Sequence, residues 1–247
     1  MAGWHQDFSA VRAKPRTARP TYTEQKLDEA KMQEILVLGD SHSPVFNHPL
    51  FKEKFPNLVF NVLTVIGATA SGLENPNTTT QAYPVFREAV RQTAAQQVIV
   101  MLGEVDTGFV IWYRAQKYQE SVAAMMDKAI ASYSRFLSEL NRNFEVVCIS
   151  TPLPTIQDGN DWGDIANARR EVTASQVERT ALTLEFNRIM QEFCLQNDIR
   201  YIMLDDLSLG DGGIVKAELL NSDCNNHHYD SEQYSRLLVE GLTGVVD

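Results

Sequence analysis

Asp40, Ser41 and His42 stand in a row, behind four apolar residues and a glycine. Glu104 and Asp106 follow a second apolar run. Asp223, His227 and His228 share a polar stretch close to the C-terminus. A serine hydroxyl is a weak nucleophile until a base takes its proton. Histidine suits that task near neutral pH, and a carboxylate or carbonyl on its other nitrogen fixes the tautomer. The three groups need to meet in space, not in sequence. These residue types therefore fit acyl transfer at Ser41, with His227 or His228 as base and Asp223 as the group that orients it. The same set admits a second chemistry. Asp40 and His42, completed by Asp106, Glu104, His227 and His228, are the oxygen and nitrogen donors a metal-dependent phosphoesterase would use.

The elements that must position these groups are legible from pattern. Glu34–Leu38, Leu58–Val65, Val98–Leu102, Val146–Ile149 and Arg200–Leu204 read as strands, each apolar and rich in β-branched or aromatic residues. Val98–Leu102 is a continuous apolar run, as expected of a strand buried on both faces. Between them fall helical stretches. A short helix or turn is expected over Pro49–Phe55. A longer helix should run from Thr78 or Thr79 to about Ala95, and another over Tyr118–Asn141. Ser175–Gln196 and Ser231–Gly241 follow. Strand and helix alternate five times without an internal repeat, which predicts a parallel sheet with helices on both faces. In such folds the segments after the strands share one edge, where ligands bind. Ser41, Gly67 and Glu104–Asp106 follow strands one, two and three, and His227-His228 precede the last helix.

Outside this unit, residues 1–32 read as an irregular arm with a short helix toward its end. The remainder, 33–247, reads as a single α/β domain. Thr155–Thr173 is polar and reads as an inserted loop within it.

At 247 residues the chain is long enough for a substantial core. A formal net charge of −10 argues against nucleic acid or an anionic membrane surface as partner, since both require a basic face. No apolar run approaches the roughly 20 residues of a membrane span. The N-terminus carries no apolar signal core, so a cytoplasmic location is the expectation. Cys148, Cys194 and Cys224 form no CxxC pair and read as reduced and inert. His48 reads as structural, and Trp112 and Tyr113 as packing residues.

Gly39-Asp40-Ser41-His42 resembles the first block of the SGNH, or GDSL-type, hydrolases. Gly67 in Val65-Ile66-Gly67-Ala68 resembles their second block. Gly103-Glu104-Val105-Asp106 resembles the third, Gly-x-Asn-Asp, in spacing. Asp223 to His228, just before the last helix, resembles the fifth. The blocks run in order over residues 34–245. The resemblance implies a flavodoxin-like, three-layer α/β/α sandwich around a mostly parallel five-stranded sheet. It implies Ser41 as nucleophile, with its own N–H and that of Gly67 as oxyanion donors. His228 would be the base, with His227 its close competitor, and Asp223 the orienting acid. The substrate would be a small-molecule acyl ester or an acylated sugar, and the chemistry needs neither metal nor cofactor.

Two positions depart from the family pattern. Val105-Asp106 stands where the family has Asn-Asp, so the amide donor to the oxyanion is missing. His42 or a backbone amide would have to replace it, or the chemistry differs, as in a non-catalytic ligand-binding relative. Asn225, rather than Asp, stands three residues before His228.

Overall fold

The structure is a computed structural model that describes residues 32–158, 172–223 and 225–246. The expected N-terminal arm (all but Met32), the middle of the expected insertion (159–171) and Cys224 lie outside the described residues. Five strands form one sheet: β1 (Gln33–Gly39), β2 (Leu58–Thr64), β3 (Gln97–Met101), β4 (Glu145–Ile149) and β5 (Arg200–Ile202). Their order is β2-β1-β3-β4-β5, and every pairing is parallel. The helices are α1 (Pro49–Lys54), α2 (Ala82–Gln92), α3 (Ile111–Tyr118), α4 (Val122–Leu140), α5 (Gln176–Gln196), α6 (Asp205–Ser208) and α7 (Ser231–Leu242).

Side chains alternate across a strand, and here both faces are covered. Leu36 and Leu38 of β1 join Val98, Val100, Phe86, Leu137 and Phe186 in one core. Ile35 and Val37 join Ile99, Phe51, Leu238 and Leu242 in the other. This double burial explains why Ile35–Leu38 is an unbroken apolar run. Each fully buried side chain of this size contributes about 1.5–3 kcal/mol.

The chain leaves β1 toward β2 on one side and returns across it to β3 on the other. The reversal creates a crevice at the carboxyl ends of β1 and β3, where open α/β sheets bind ligands. Asp40–His42 leave β1 at that point.

The strands were expected within two residues of where they lie. The helix expected over Tyr118–Asn141 is α4, which starts later, at Val122, and Tyr118 is instead the last residue of a separate helix, α3. Gln119 adopts φ +53° and ends α3, and the Ser121 hydroxyl then caps α4 by accepting from the Ala124 N–H at 3.1 Å. The turn expected at Glu104–Asp106 is helical instead. Thr107 N–H bonds the Gly103 carbonyl at 2.9 Å, and Asp106–Val110 continues as a π-helical turn. At the start of α5, Ser175 and Glu178 cap one another reciprocally. Cys148 and Cys194 are free and buried. His48 is structural: its Nδ1 accepts from the Leu50 N–H at 3.3 Å and lies 3.2 Å from the Ser235 hydroxyl, joining α1 to α7.

Candidate active site

Gly39 is where the strand can stop being a strand. A Cβ there would meet Ser43 Cβ at 2.6 Å and the Met101 carbonyl at 3.0 Å. Its absence lets the chain fold back, with Asp40 N–H on the Met101 carbonyl (3.3 Å) and Ser43 N–H on the Asp40 carbonyl (3.1 Å). The buried Ser43 hydroxyl also bonds the Asp40 carbonyl (2.9 Å) and Thr64 Oγ1 (2.7 Å), tying the turn to β2. Ser41 is left at the tip, half-buried.

A cleft of about 190 Å³ opens beside this turn. Ser41, His42, Asn226, His228, Tyr229 and Ser231 line it. It therefore joins the end of β1 to the start of α7, whose N-terminus Asp230 caps by accepting from Glu232 and Gln233 N–H.

Two identical local motifs face each other across the cleft. Asp40 Oδ1 accepts the His42 backbone N–H (2.9 Å) and contacts its Nδ1 (3.0 Å). Asn226 Oδ1 accepts the His228 backbone N–H (3.0 Å) and contacts its Nδ1 (2.8 Å). An atom that accepts a backbone N–H is an oxygen, so each Nδ1 carries the proton and each Nε2 holds the lone pair when the ring is neutral. The two rings lie 4.5 Å apart between centroids, and His227 lies 4.2 Å from His228 and 6.3 Å from His42. Asp40 and His42 are 1% and 4% exposed, so their contact is shielded from solvent.

Asp223 stands elsewhere. Its Oδ1 accepts from the Asn225 N–H (3.0 Å) and lies 3.3 Å from Asn225 Nδ2, closing its own loop. The residue on Nδ1 of His228 is Asn226. It sits two positions before the histidine, where an oxygen can reach both N–H groups of residue i+2 at once. A search for an acid three positions away passes over it.

Gly67 follows β2 with φ +72°, a left-handed turn that glycine adopts freely. Neither its N–H nor that of Ser41 donates to a protein acceptor among the described residues. Asp106 does not face the cleft. Fully buried, it accepts the Ala70 N–H (2.6 Å) and the Ser71 N–H (3.0 Å), so it anchors the loop that begins at Gly67. Burial pushes its carboxyl up to about 6, against the Ser71 and Ala70 hydrogen bonds and the Arg114 charge, which favour the ionised form. Arg114 completes the anchor by donating to the Ser71 hydroxyl at 2.9 Å. Glu104 is also buried, and its charge helps burial push the Tyr229 phenol up.

A polar layer that the sequence reading passed over lies beneath β4 and β5. Asn187 of α5 accepts the Thr151 N–H (2.8 Å) and donates to the Thr151 carbonyl (2.9 Å) and Asp205 (2.8 Å). Gln176, Arg179, Thr180 and Thr183 make the first half of the buried stripe of α5 polar, and Asn187 joins Phe186, Met190 and Cys194 in the second. Spacing of three and four residues was the available signal, but it falls on residue types that read as surface.

Among the described residues, no group of three or more His, Cys, Asp or Glu side chains is placed to hold a metal ion. The metal-dependent alternative therefore finds no such ligand set among those residues. No helix of the described residues is long and apolar enough to cross a membrane.

No protein-family model matches this sequence, and no curated protein does. Solved structures do match. A GDSL-like lipase from Bacteroides thetaiotaomicron VPI-5482 superposes with TM-score 0.61 at 15% identity, over 87% of each chain. An acetyl xylan esterase superposes with TM-score 0.57 at 13% identity, over 87% of this chain and 100% of that one. An extracellular lipase from Streptomyces rimosus gives 0.52 at 14% identity, over 87% and 100%. At such identities the likeness is one of fold. The chain has the flavodoxin-like SGNH-hydrolase fold, the one its sequence motifs imply.

Proposed function

We propose that this chain is a serine-dependent esterase or acyltransferase acting on an O-acyl ester with a small acyl group, carried by a sugar or another metabolite. One observation carries the reading. Ser41, at the carboxyl end of β1, shares a cleft with His228, whose Nδ1 is anchored on Asn226. The fold it shares with lipases and esterases supports the same reading.

In this scheme Ser41 Oγ attacks the ester carbonyl carbon while His228 Nε2 takes its proton. The C=O pair moves onto oxygen, and the oxyanion meets the Ser41 and Gly67 N–H groups. As the tetrahedral intermediate collapses, the C–O bond to the alcohol breaks and His228 returns the proton to the departing oxygen. The acyl-Ser41 ester is then attacked by water or an acceptor hydroxyl in the same way. The two anchors divide the work. The Asn226 amide is neutral, which suits a ring that must accept a proton. The Asp40 carboxylate stabilises positive charge on His42, which suits a ring that offsets the oxyanion in place of the missing third-block Asn. Asp106 is a positioning residue for the Gly67 loop.

A non-catalytic ligand-binding role is the second reading. It is favoured by the third block, where Val105-Asp106 brings no amide side chain and Asp106 is spent on the Ala70 and Ser71 N–H groups. A fluorophosphonate probe separates the two. Adduct formation at Ser41, located by mass spectrometry and lost in His228→Ala, is the expected result. A folded protein that stays unlabelled at Ser41 and hydrolyses no aryl acetate overturns the enzymatic reading in favour of the second.

A further inference from the structure

The two residues that flank His228 are both tied to one short stretch after β4. Thr155, 4% exposed, donates its hydroxyl to the His227 carbonyl. The Tyr229 phenol, also buried, accepts the Leu153 N–H at 2.8 Å. The side chains of the loop before them bond locally. Asn221 accepts from the Asp223 N–H, Asp223 from the Asn225 N–H, and Asn226 from the His228 N–H. Turns of this kind set the shape of a loop and not its place on the body. The ties to Leu153 and Thr155 set its place, together with Asp230 N–H on the Leu219 carbonyl (2.9 Å).

The stretch is held in turn by α5. Gln176 donates to the Pro154 carbonyl (2.9 Å) and Arg179 to the Ile156 carbonyl (2.7 Å). Both side chains are buried. Burying an amide and a guanidinium is costly unless their donors are met. Donors also bring direction, because a hydrogen bond weakens steeply once it is bent, whereas apolar packing tolerates sliding. The carbonyls of residues 154 and 156 are thus fixed on α5, while residues 153 and 155 hold the histidine loop.

We infer that Thr155 is a positioning residue for His228. With Tyr229 it brackets the histidine's backbone and ties it to the polar stripe of α5. The catalytic consequence rests on the function proposed above, and the bracket itself does not. Thr155→Val replaces the hydroxyl by a methyl group. With an aryl acetate as substrate, kcat should fall about tenfold, since a displacement of ~1 Å at a catalytic group costs up to ~10². KM should stay within about twofold, because Thr155 acts on the base and not on the substrate. Thr155→Ser keeps the hydroxyl and should restore kcat. Thr183→Val is the control. Its hydroxyl is equally buried and bonds Thr107 Oγ1 (2.8 Å) and the Arg179 carbonyl (2.9 Å), away from residues 153–156 and 227–229. It should leave kcat within about twofold, whereas a merely structural role for Thr155 would make the two valine variants alike. Tyr229→Phe removes the other tie and should lower kcat too, which keeps the test open if Thr155→Val does not fold. Amide hydrogen exchange gives a readout without turnover. The Leu153 and Asp230 N–H groups should exchange roughly three- to tenfold faster in Thr155→Val, the effect of one hydrogen bond, and not in Thr183→Val. A parental kcat in Thr155→Val, or an equal loss in Thr183→Val, overturns the positioning role. If the parent is neither labelled at Ser41 nor active, the proposed function fails by itself and exchange decides. Faster exchange in Thr155→Val then upholds the bracket, and unchanged exchange overturns it.

Discussion

His42 and His228 face each other with ring centres 4.5 Å apart, each held by the side-chain oxygen of the residue two positions earlier. The geometry is the same and the charge is not, since Asp40 brings a carboxylate and Asn226 an amide. Asp40→Asn keeps an acceptor for both His42 N–H groups and removes only the charge. Expected is a fall in kcat of about 10²–10³, the cost of one oxyanion-stabilising group, with the melting temperature nearly unchanged. Steady-state hydrolysis of an aryl acetate, beside a thermal melt, checks it. An unchanged kcat would remove His42 from the chemistry.

Asn226 and Asp223 make opposite predictions. Asn226→Ala removes the oxygen that both the His228 ring and its backbone N–H contact, so kcat should fall by about 10- to 100-fold, the order of effect seen when a partner that orients a histidine is removed. KM should change little. Asn226→Asp, which restores the acceptor, should recover part of the loss. Asp223→Ala removes an acceptor that, among the described residues, serves Asn225, and activity should stay within about twofold, as for a surface change away from the site. A larger loss for Asp223→Ala than for Asn226→Ala would reverse the assignment.

What the sequence revealed follows from where each signal is stored. Ile35–Leu38 announces a doubly buried strand because four adjacent residues must all be apolar. That the end of β1 and the start of α7 share one edge was legible from the strand-helix order, and Ser41 and His228 do line one cleft there; the roles expected of them came from the family resemblance. Other relationships are carried by backbone atoms, which the sequence does not spell out. Asp106 acts on the N–H groups of Ala70 and Ser71, 36 and 35 positions away, and no side-chain type at 70 or 71 marks that. The break between α3 and α4 depends on Gln119 adopting φ +53°, a conformation that glutamine rarely signals. The polar stripe of α5 was hidden for the converse reason. Thr, Gln, Arg and Asn at helical spacing resemble a solvated face until the carbonyls of Pro154, Ile156 and Thr151 are found against them.

Gly39→Ala tests whether the turn at Ser41 depends on close approach. The new methyl would lie 2.6 Å from Ser43 Cβ and 3.0 Å from the Met101 carbonyl, one buried side chain and one strand backbone. Neither can swing away as the end of a long side chain can. A destabilisation of about 1–3 kcal/mol is expected, the usual cost of overpacking. Urea unfolding measures it, and a variant as stable as the parent would mean that Ser43 can move aside. Fluorophosphonate labelling should slow in the same variant, because displacing Ser43 also displaces Ser41.

Asp106 makes a prediction about pH. Its folded value is raised to about 6 by burial, above the unfolded value of about 3.9. Between these values the folded protein holds a proton that the unfolded chain has released. The stabilisation from this group is therefore fully present below about pH 4 and is lost as pH rises through 6. The gap between the folded and unfolded values sets an upper bound of about 3 kcal/mol on that loss. Asp106→Asn cannot take up the proton. It also turns an amide donor toward the Ala70 or Ser71 N–H, at a cost of about 1–3 kcal/mol for the unsatisfied pair. The variant should be the less stable protein near pH 4, and its deficit should shrink as pH rises toward 8. Urea unfolding of both proteins across that range reads the difference directly. A deficit that is flat or grows with pH would show that Asp106 is already ionised at pH 4 in the folded state, held so by the two loop amides and Arg114.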